Sequence, residues 1–324
     1  MVVRRDRVLA VDIGGTKIAA GLVTRQGNIE HRRRIETLAG EGTSAVVARL
    51  WALVDGVLSD AGLSMTQIDG ISLAAAGPID MRGGMITDAP NLPGWHAVPL
   101  RSMASDRYKV DSFLINDAKA AALGELEFGA AKGISDLICV TLGTGIGGGI
   151  IIGGRLYLGR SGAAGEIGHM TIDFRGPRCA CGNIGCWETF ASGTAMEAEA
   201  ARRIRAGDRS SLRLSSDTGS GGITAVNIAD AARGGDPLAS SVIAWSAGHI
   251  GTGLVNLANI FNPEMIVLGG GLCKIGDPLI LPAAALVRQR AFPLIARDVS
   301  IVVSTLGDDA GLLGAAAFAF SAHS

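Results

Sequence analysis

Within eighteen residues the chain places His169, Cys179, Cys181 and Cys186, an H-x9-C-x-C-x4-C spacing punctuated by Gly176, Pro177, Gly182 and Gly185. An imidazole and three thiols so close together match the donor set of tetrahedral zinc. Buried free cysteines are the alternative reading, but a glycine-rich, polar segment makes poor core. The four donors leave no position for water, so the ion would be structural. It would fix the loop carrying Glu188 and hold His169 in place. Cys139 and Cys273 stand alone in apolar runs, so the five cysteines do not form a disulfide framework.

Two glycine-rich turns could handle phosphate. Asp12-Ile13-Gly14-Gly15-Thr16-Lys17 offers unobstructed backbone N–H groups, a hydroxyl and a cation, with Asp12 able to hold Mg2+ through water. The same letters also suit a plain Gly-Gly hairpin of type I′. The GxxxxGK[ST] spacing of a Walker loop is absent. In Leu142-Gly143-Thr144-Gly145-Ile146-Gly147-Gly148-Gly149, the residues Gly143, Gly145 and Gly148 spell GxGxxG. The run leads into Ile150-Ile151-Ile152 and therefore into a strand, whereas a dinucleotide site needs a helix there.

Asn116-Asp117 falls where an apolar strand gives way to an alanine-rich helix, a common place for a carboxylate to serve chemistry. Asp117 could act as a general base toward a hydroxyl, or simply cap the helix. Asn91, Asn116, Glu166, His169 and Glu188 are polar positions among glycines that together could read several adjacent hydroxyls.

The elements that must position these residues are legible in outline. Strands are expected at Val8 to Val11, Ile18 to Val23 and Ile29 to Ile35, with a turn over Arg25-Gln26-Gly27-Asn28. The grammar returns as strand Leu137 to Leu142, turn Gly143-Thr144-Gly145, strand Gly147 to Ile152, turn Gly153-Gly154 and Arg155 to Leu158, an internal duplication of layout. A helix over Ser44 to Leu58, strands at Gly70 to Ala76 and Phe113 to Ile115, a long helix from Ser240 to Ile260, strand Met265 to Leu268 and a closing helix from Asp309 complete an α/β pattern. Arg205 to Gly222 lacks periodicity and reads as a surface loop or partly disordered insertion.

At 324 residues and 48% hydrophobic, the chain can build two cores. Its 29 basic and 30 acidic side chains nearly cancel, which argues against nucleic-acid or membrane partners and for small molecules. Asp12 interrupts the apolar stretch after Arg4, Arg5 and Arg7, so no signal peptide is expected and the cytoplasm is the expected compartment.

The chain resembles, nearly end to end, the ROK family of sugar kinases and sugar-responsive repressors, most closely its bacterial glucokinases. The matching segments are the Asp12 to Lys17 turn, Ala89-Pro90-Asn91, Asn116-Asp117, Leu142 to Gly149, Gly165-Glu166-Ile167-Gly168-His169, Cys179 to Glu188 and Gly269-Gly270-Gly271. The resemblance implies an actin-like ATPase (sugar kinase/Hsp70-type) fold, two α/β domains around a cleft. The division implied is 1–118 plus 309–324 for the smaller domain and 119–308 for the larger, which carries the zinc loop 169–188. It further implies Asp117 as the base that activates a sugar 6-hydroxyl, and Asn91, Asn116, Glu166, His169 and Glu188 as ligands of the sugar. Mg2+-ATP would lie on Asp12, Gly14, Gly15, Thr16, Lys17, Thr144 and Gly145, with Gly269, Gly270, Gly271 and Leu272 near the adenosine. His169 would serve twice, one ring nitrogen on zinc and the other toward the sugar. A homodimer or homotetramer is implied as well. N-acetylmannosamine, fructose or mannose are alternative substrates. Kinases of the first type carry His where this chain has Glu166. The family's repressors carry a helix-turn-helix ahead of the phosphate turn, and eleven residues precede Asp12 here.

Overall fold

The computed structural model describes residues 6–89, 92–214 and 222–322. The chain opens with β1 (Arg7–Ile13), β2 (Lys17–Thr24), β3 (Ile29–Glu36), α1 (Thr43–Ala61) and β4 (Gly70–Ala75). Then come β5 (Ile79–Asp80), β6 (Met85–Asp88), β7 (His96–Val98), α2 (Leu100–Tyr108), β8 (Ser112–Asn116) and α3 (Asp117–Glu127). The middle of the chain holds β9 (Leu137–Leu142), β10 (Ile146–Ile152), β11 (Arg155–Leu156), α4 (Glu188–Ala191), α5 (Gly193–Arg205), α6 (Ala225–Arg233) and α7 (Pro237–Phe261). The last elements are β12 (Met265–Gly269), α8 (Asp277–Arg290), α9 (Pro293–Asp298), β13 (Ser300–Val303) and α10 (Ala310–Ala322).

Two five-stranded sheets repeat one plan. The first has the order β3-β2-β1-β4-β8 and the second β11-β10-β9-β12-β13. In each, the two strands that continue the meander lie to one side of the opening strand and two later strands lie to the other. That is the duplication of layout expected from the sequence, and the two glycine turns occupy equivalent hairpins in it. In the first sheet β1, β2 and β3 are antiparallel, while β1, β4 and β8 are parallel. The last two parallel strands bring Ala75 and Asn116 into register at their C-terminal ends.

The chain forms two compact units, one of residues 1–139, 149–165 and 304–324, the other of residues 140–148 and 166–303. The boundary thus falls beyond the 118 expected from the resemblance, because α3 packs on α10. A Cβ on Gly314 of α10 would stand 1.6 Å from the Ala120 carbonyl oxygen, and one on Gly124 of α3 would stand 2.7 Å from that of Ala310. Two helices whose backbones touch in this way belong to one core.

In the first unit, alternation along β1 divides the sheet's two faces. Leu9, Val11 and Ile13 join Val46, Leu50, Val54 and Val57 of α1 in one buried cluster. Val8, Ala10 and Asp12 occupy the other face, where Gly311 of α10 meets the Asp12 carboxyl. Helix α10 is alanine-rich and apolar around most of its circumference, which suits it to that enclosed position. In the second unit, α7 is 25 residues long and apolar enough by composition to span a bilayer, but 56% of its apolar window is buried within the fold. It is a core helix.

Several expectations are refined. The closing helix begins at Ala310, after a 3-10 turn at Gly307–Asp309, and β11 stops at Leu156 rather than Leu158. The small sheet β5-β6-β7 went unread, because strands of two to four residues carry no measurable period. Within Arg205 to Gly222, helix α5 ends at Arg205 and Leu212 is buried, while Ser210 and Ser211 donate to the Asp236 carboxylate. The described part of that stretch, residues 205–214, is anchored. Residues 215–221 of it lie outside the described residues.

Helix contact of this kind makes glycine replacement strongly position-dependent. Gly314→Ala should lower stability by about 2 kcal/mol through overpacking against Ala120. Gly248→Ala in α7, where a Cβ meets nothing within 4 Å, should raise it by up to about 1 kcal/mol through helix propensity. Denaturant midpoints of the two variants check both signs.

Candidate active site

The first glycine turn joins β1 to β2. Ile13 pairs with Ile18, and the Gly14 N–H donates to the Lys17 carbonyl at 3.0 Å, so Gly14 to Thr16 form the connection into β2 at Lys17. Neither Gly14 nor Gly15 has a positive φ, so the turn is not the type I′ hairpin that the same letters allow. The turn leaves Thr16 and Lys17 exposed. Thr37, fully buried just beyond β3, holds it: its hydroxyl donates to the Gly14 carbonyl at 2.7 Å and its N–H to that of Thr16 at 2.9 Å. The Lys17 ammonium pairs with Asp308 at 2.9 Å, and Arg34 stands 3.8 Å from the same carboxylate.

Asp12 is the penultimate residue of the strand that leads into this loop. Loss of solvation, then the neighbouring charge of Asp117, push its carboxyl up to about 7, with Lys17 and Arg34 pulling in the opposite direction. Asp117 opens α3. Asn116, not Asp117, caps that helix, accepting from the N–H groups of Ala118 and Lys119 at 3.1 and 3.2 Å while donating to the Gly77 carbonyl. Asp117 sits one residue inside, its Oδ1 accepting from the Ala118 N–H at 2.8 Å and from Asn116 Nδ2 at 3.0 Å. Asn116 therefore both caps the helix and orients the carboxylate. The first unit thus gathers Asp12, the loop, Asn116 and Asp117. Asn91 lies outside the described residues.

In the second unit the loop between β9 and β10 closes with the Gly143 N–H donating to the Gly145 carbonyl at 2.9 Å, and Thr144 is exposed at its tip. Gly270 packs beneath it, since a Cβ there would lie 2.4 Å from the Leu142 carbonyl oxygen. Gly269 ends β12, Gly271 opens a 3-10 turn with open space beside it, and Leu272 is buried. Glu188 reaches the loop directly, its Oε2 accepting from the Ile146 N–H at 2.8 Å. Glu166, exposed, stands just ahead of the 3-10 turn Ile167–His169.

The four donors of the sequence cluster meet. Ligand atoms of His169, Cys179, Cys181 and Cys186 all lie within 4.8 Å of one another. His169 Nδ1 is 3.7 Å from Cys179 Sγ, and Cys181 Sγ is 3.7 Å from Cys186 Sγ. A tetrahedral ion with Zn–S bonds near 2.3 Å separates its sulfurs by about 3.8 Å, so the spacing suits zinc. Burial, then the thiols of Cys181 and Cys179, push the Cys186 thiol up to about 12, so three thiolates here call for a cation among them. Backbone geometry makes the knuckle: the Gly182 N–H donates to the Cys179 carbonyl, and Gly185, at φ 68, lies so close to the Asp173 carbonyl oxygen that a Cβ would stand 1.6 Å from it. Trp187, fully buried, anchors the knuckle on α7 by donating to the His249 carbonyl at 2.8 Å.

Duplicated sheets, each with a glycine-rich hairpin beside its opening strand, define the actin-like ATPase fold in its sugar-kinase form. The chain matches the ROK family over residues 8–322 and belongs to it. It is 38% identical to the glucokinase of Halalkalibacterium halodurans over 307 residues, 94% of this chain and 92% of that protein. The xylose repressor of Caldicellulosiruptor bescii is 34% identical over 314 residues, 97% of this chain and 78% of the repressor. A ROK family glucokinase from Streptomyces griseus, crystallised in complex with glucose and AMPPNP, superposes with a TM-score of 0.83 at 36% identity, covering 97% of this chain and 99% of that one.

Sequence reasoning missed Thr37, Thr194 and Asp308. Thr194 donates its hydroxyl to the Thr144 carbonyl at 2.8 Å, as Thr37 does to Gly14. No spacing announces these contacts, which join residues 50 and 23 positions apart.

Because the Asp12 carboxyl titrates above the ordinary carboxylate range, the folded state binds its proton more tightly than the unfolded chain does. The stability it contributes is present at low pH and is lost as pH rises through about 7. In metal-free buffer Asp12→Asn should therefore melt about 2–5 °C above the parent at pH 8, the gap shrinking toward pH 4. Thermal melts across that range read it.

Proposed function

We propose that the protein is an ATP-dependent hexose kinase, a glucokinase that converts glucose and ATP to glucose 6-phosphate and ADP in the cytoplasm. The observation that carries this reading is Asp117, held by Asn116 at the head of α3 in the electrostatic reach of Asp12. Its support comes from relatives named glucokinase along nearly the whole chain. The repressor relatives share the fold, but a sensor has no need of a base beside an anionic partner and two phosphate loops.

In this reading Asp117 accepts the proton of the sugar 6-hydroxyl as the oxygen attacks the γ-phosphorus. Gly14, Gly15, Thr16 and Lys17 in the first unit, and Thr144 and Gly145 in the second, are assigned phosphate contacts. Asp12 is the carboxylate toward Mg2+, which supplies neutralisation of phosphate charge. The raised Asp12 fits this, since a cation relieves a carboxylate that burial and Asp117 leave poorly stabilised. Asn91, Asn116, Glu166, His169 and Glu188 are assigned the sugar hydroxyls, and Gly269 to Leu272 the adenosine. With His169 Nδ1 among the thiols, Nε2 is the nitrogen left for the sugar. Zinc on His169, Cys179, Cys181 and Cys186 is structural, and the working form is a homodimer or homotetramer.

Asp117→Asn should lower kcat at least about 1000-fold while glucose still binds, since the amide keeps the shape but cannot take a proton. Coupled ADP-release assays across a hexose panel read this and rank glucose against mannose, fructose and N-acetylmannosamine. Turnover near the parental rate in the variant would remove Asp117 from the role. Metal analysis should find one zinc per chain, and Cys181→Ser should lose both the metal and thermal stability. A purified parent without zinc would refute the structural-metal assignment.

A further inference from the structure

The peptide of Ile146 is gripped from two sides by segments adjoining the metal ligands. Its N–H donates to Glu188 Oε2 at 2.8 Å, two residues after Cys186. Its carbonyl oxygen lies against Gly168, one residue before His169, so closely that a Cβ on Gly168 would stand 2.1 Å away. A Cβ on Gly145 would stand 2.3 Å from the same Glu188 oxygen. A side chain at 145 would therefore displace the carboxylate that braces the loop. Downstream, the Gly193 N–H donates to the Gly143 carbonyl at 2.8 Å and the Thr194 hydroxyl donates to that of Thr144 at 2.8 Å. The loop from Gly143 to Ile146 is thus set by the segment from Glu188 to Thr194, which starts where the zinc knuckle ends.

We propose that Glu188 is a positioning residue for the nucleotide loop as well as a sugar ligand, and that it couples sugar binding to nucleotide binding. This rests on the kinase reading above. With Oε2 committed to the Ile146 N–H, a sugar hydroxyl that donates to Oε1 restricts the whole carboxylate. The Gly143 to Ile146 backbone then loses less freedom when phosphate arrives. By thermodynamic reciprocity the nucleotide tightens sugar binding by the same factor. Thr194 holds the far side of the loop through the Thr144 carbonyl and is not itself assigned to the sugar, so it separates the loop's contribution from the sugar's.

The test is calorimetric titration of Mg2+-AMPPNP into the full chain, with and without saturating glucose, and of glucose alone. The parent should bind AMPPNP several-fold more tightly with glucose present. Glu188→Ala should lose about tenfold in AMPPNP affinity without glucose, the loss expected of a charge-assisted hydrogen bond, and should also lose the glucose-dependent gain. Glu188→Gln should restore the glucose-free affinity, because an amide oxygen still accepts from the Ile146 N–H. Thr194→Val should weaken AMPPNP about threefold and leave the titration with glucose alone unchanged. Parental AMPPNP affinity in Glu188→Ala with its zinc content intact would overturn the proposal. If that variant loses zinc or folding, Thr194→Val decides, and unchanged AMPPNP affinity there overturns it equally. A parent that binds no AMPPNP at all would refute the kinase reading itself, a failure distinct from either.

Discussion

In the proposed reading each glycine loop must offer bare backbone N–H groups to an anion and so be both free of side chains and stiff, demands that conflict. Glycine supplies the first and, by its conformational freedom, works against the second. The chain resolves the conflict in the same way in both units. Each loop is closed by its own backbone hydrogen bond, and each receives a threonine hydroxyl on one of its carbonyls, from Thr37 in one case and Thr194 in the other. The remaining structure around the loops follows from the need to carry those braces. Thr37 is buried at the end of β3, and Thr194 lies in the first turn of α5, which Ser192 caps.

The cysteine knuckle extends the same logic. Its polar, glycine-rich backbone has little apolar surface to bury, so cross-links must supply what packing does not. In the proposed zinc-bound form the four donors provide one, and Trp187 provides another. The indole fills the space that a side chain at Gly253 would need, because a Cβ there would stand 2.1 Å from the ring. Phe190 stacks on His249 of the same helix with ring centroids 4.9 Å apart. The knuckle, Trp187 and Glu188 are contiguous in sequence, so fixing any one of them limits the others.

Electrostatics in the first unit are arranged at a cost to stability. Two carboxylates, Asp12 and Asp117, stand near each other with little solvent on Asp12, and the nearby cations Lys17 and Arg34 are shared with Asp308. Such an arrangement holds a site short of positive charge until a cation or a proton arrives, a common property of sites that handle metal-bound phosphate. The contact of Gly311 with the Asp12 carboxyl keeps α10 close to that position, and the small residues of α3 and α10 make the approach sterically feasible.

Much of this could be read from the letters, because local chemistry leaves local signatures. Alternating strands and glycine turns revealed the duplicated plan, and the His-to-Cys spacing revealed four donors that meet at metal-ligand distances, since they lie within one short loop. Asn116-Asp117 at a strand-to-helix junction marked the carboxylate, although the letters offered Asp117 as the helix cap and the structure gives that role to Asn116. What the tertiary structure decided is nonlocal. The turn at Gly14 lacks the positive φ of a type I′ hairpin and is braced by Thr37, which reaches it from just beyond β3. The helix after Asn116 stays with the first unit because α10, nearly two hundred residues later, packs on it backbone to backbone. A side chain at Gly145 would displace Glu188 from the space beside it. Spacing along a chain reports only neighbours in sequence, whereas a hydrogen bond or an excluded Cβ between distant segments exists only once the fold has brought them together.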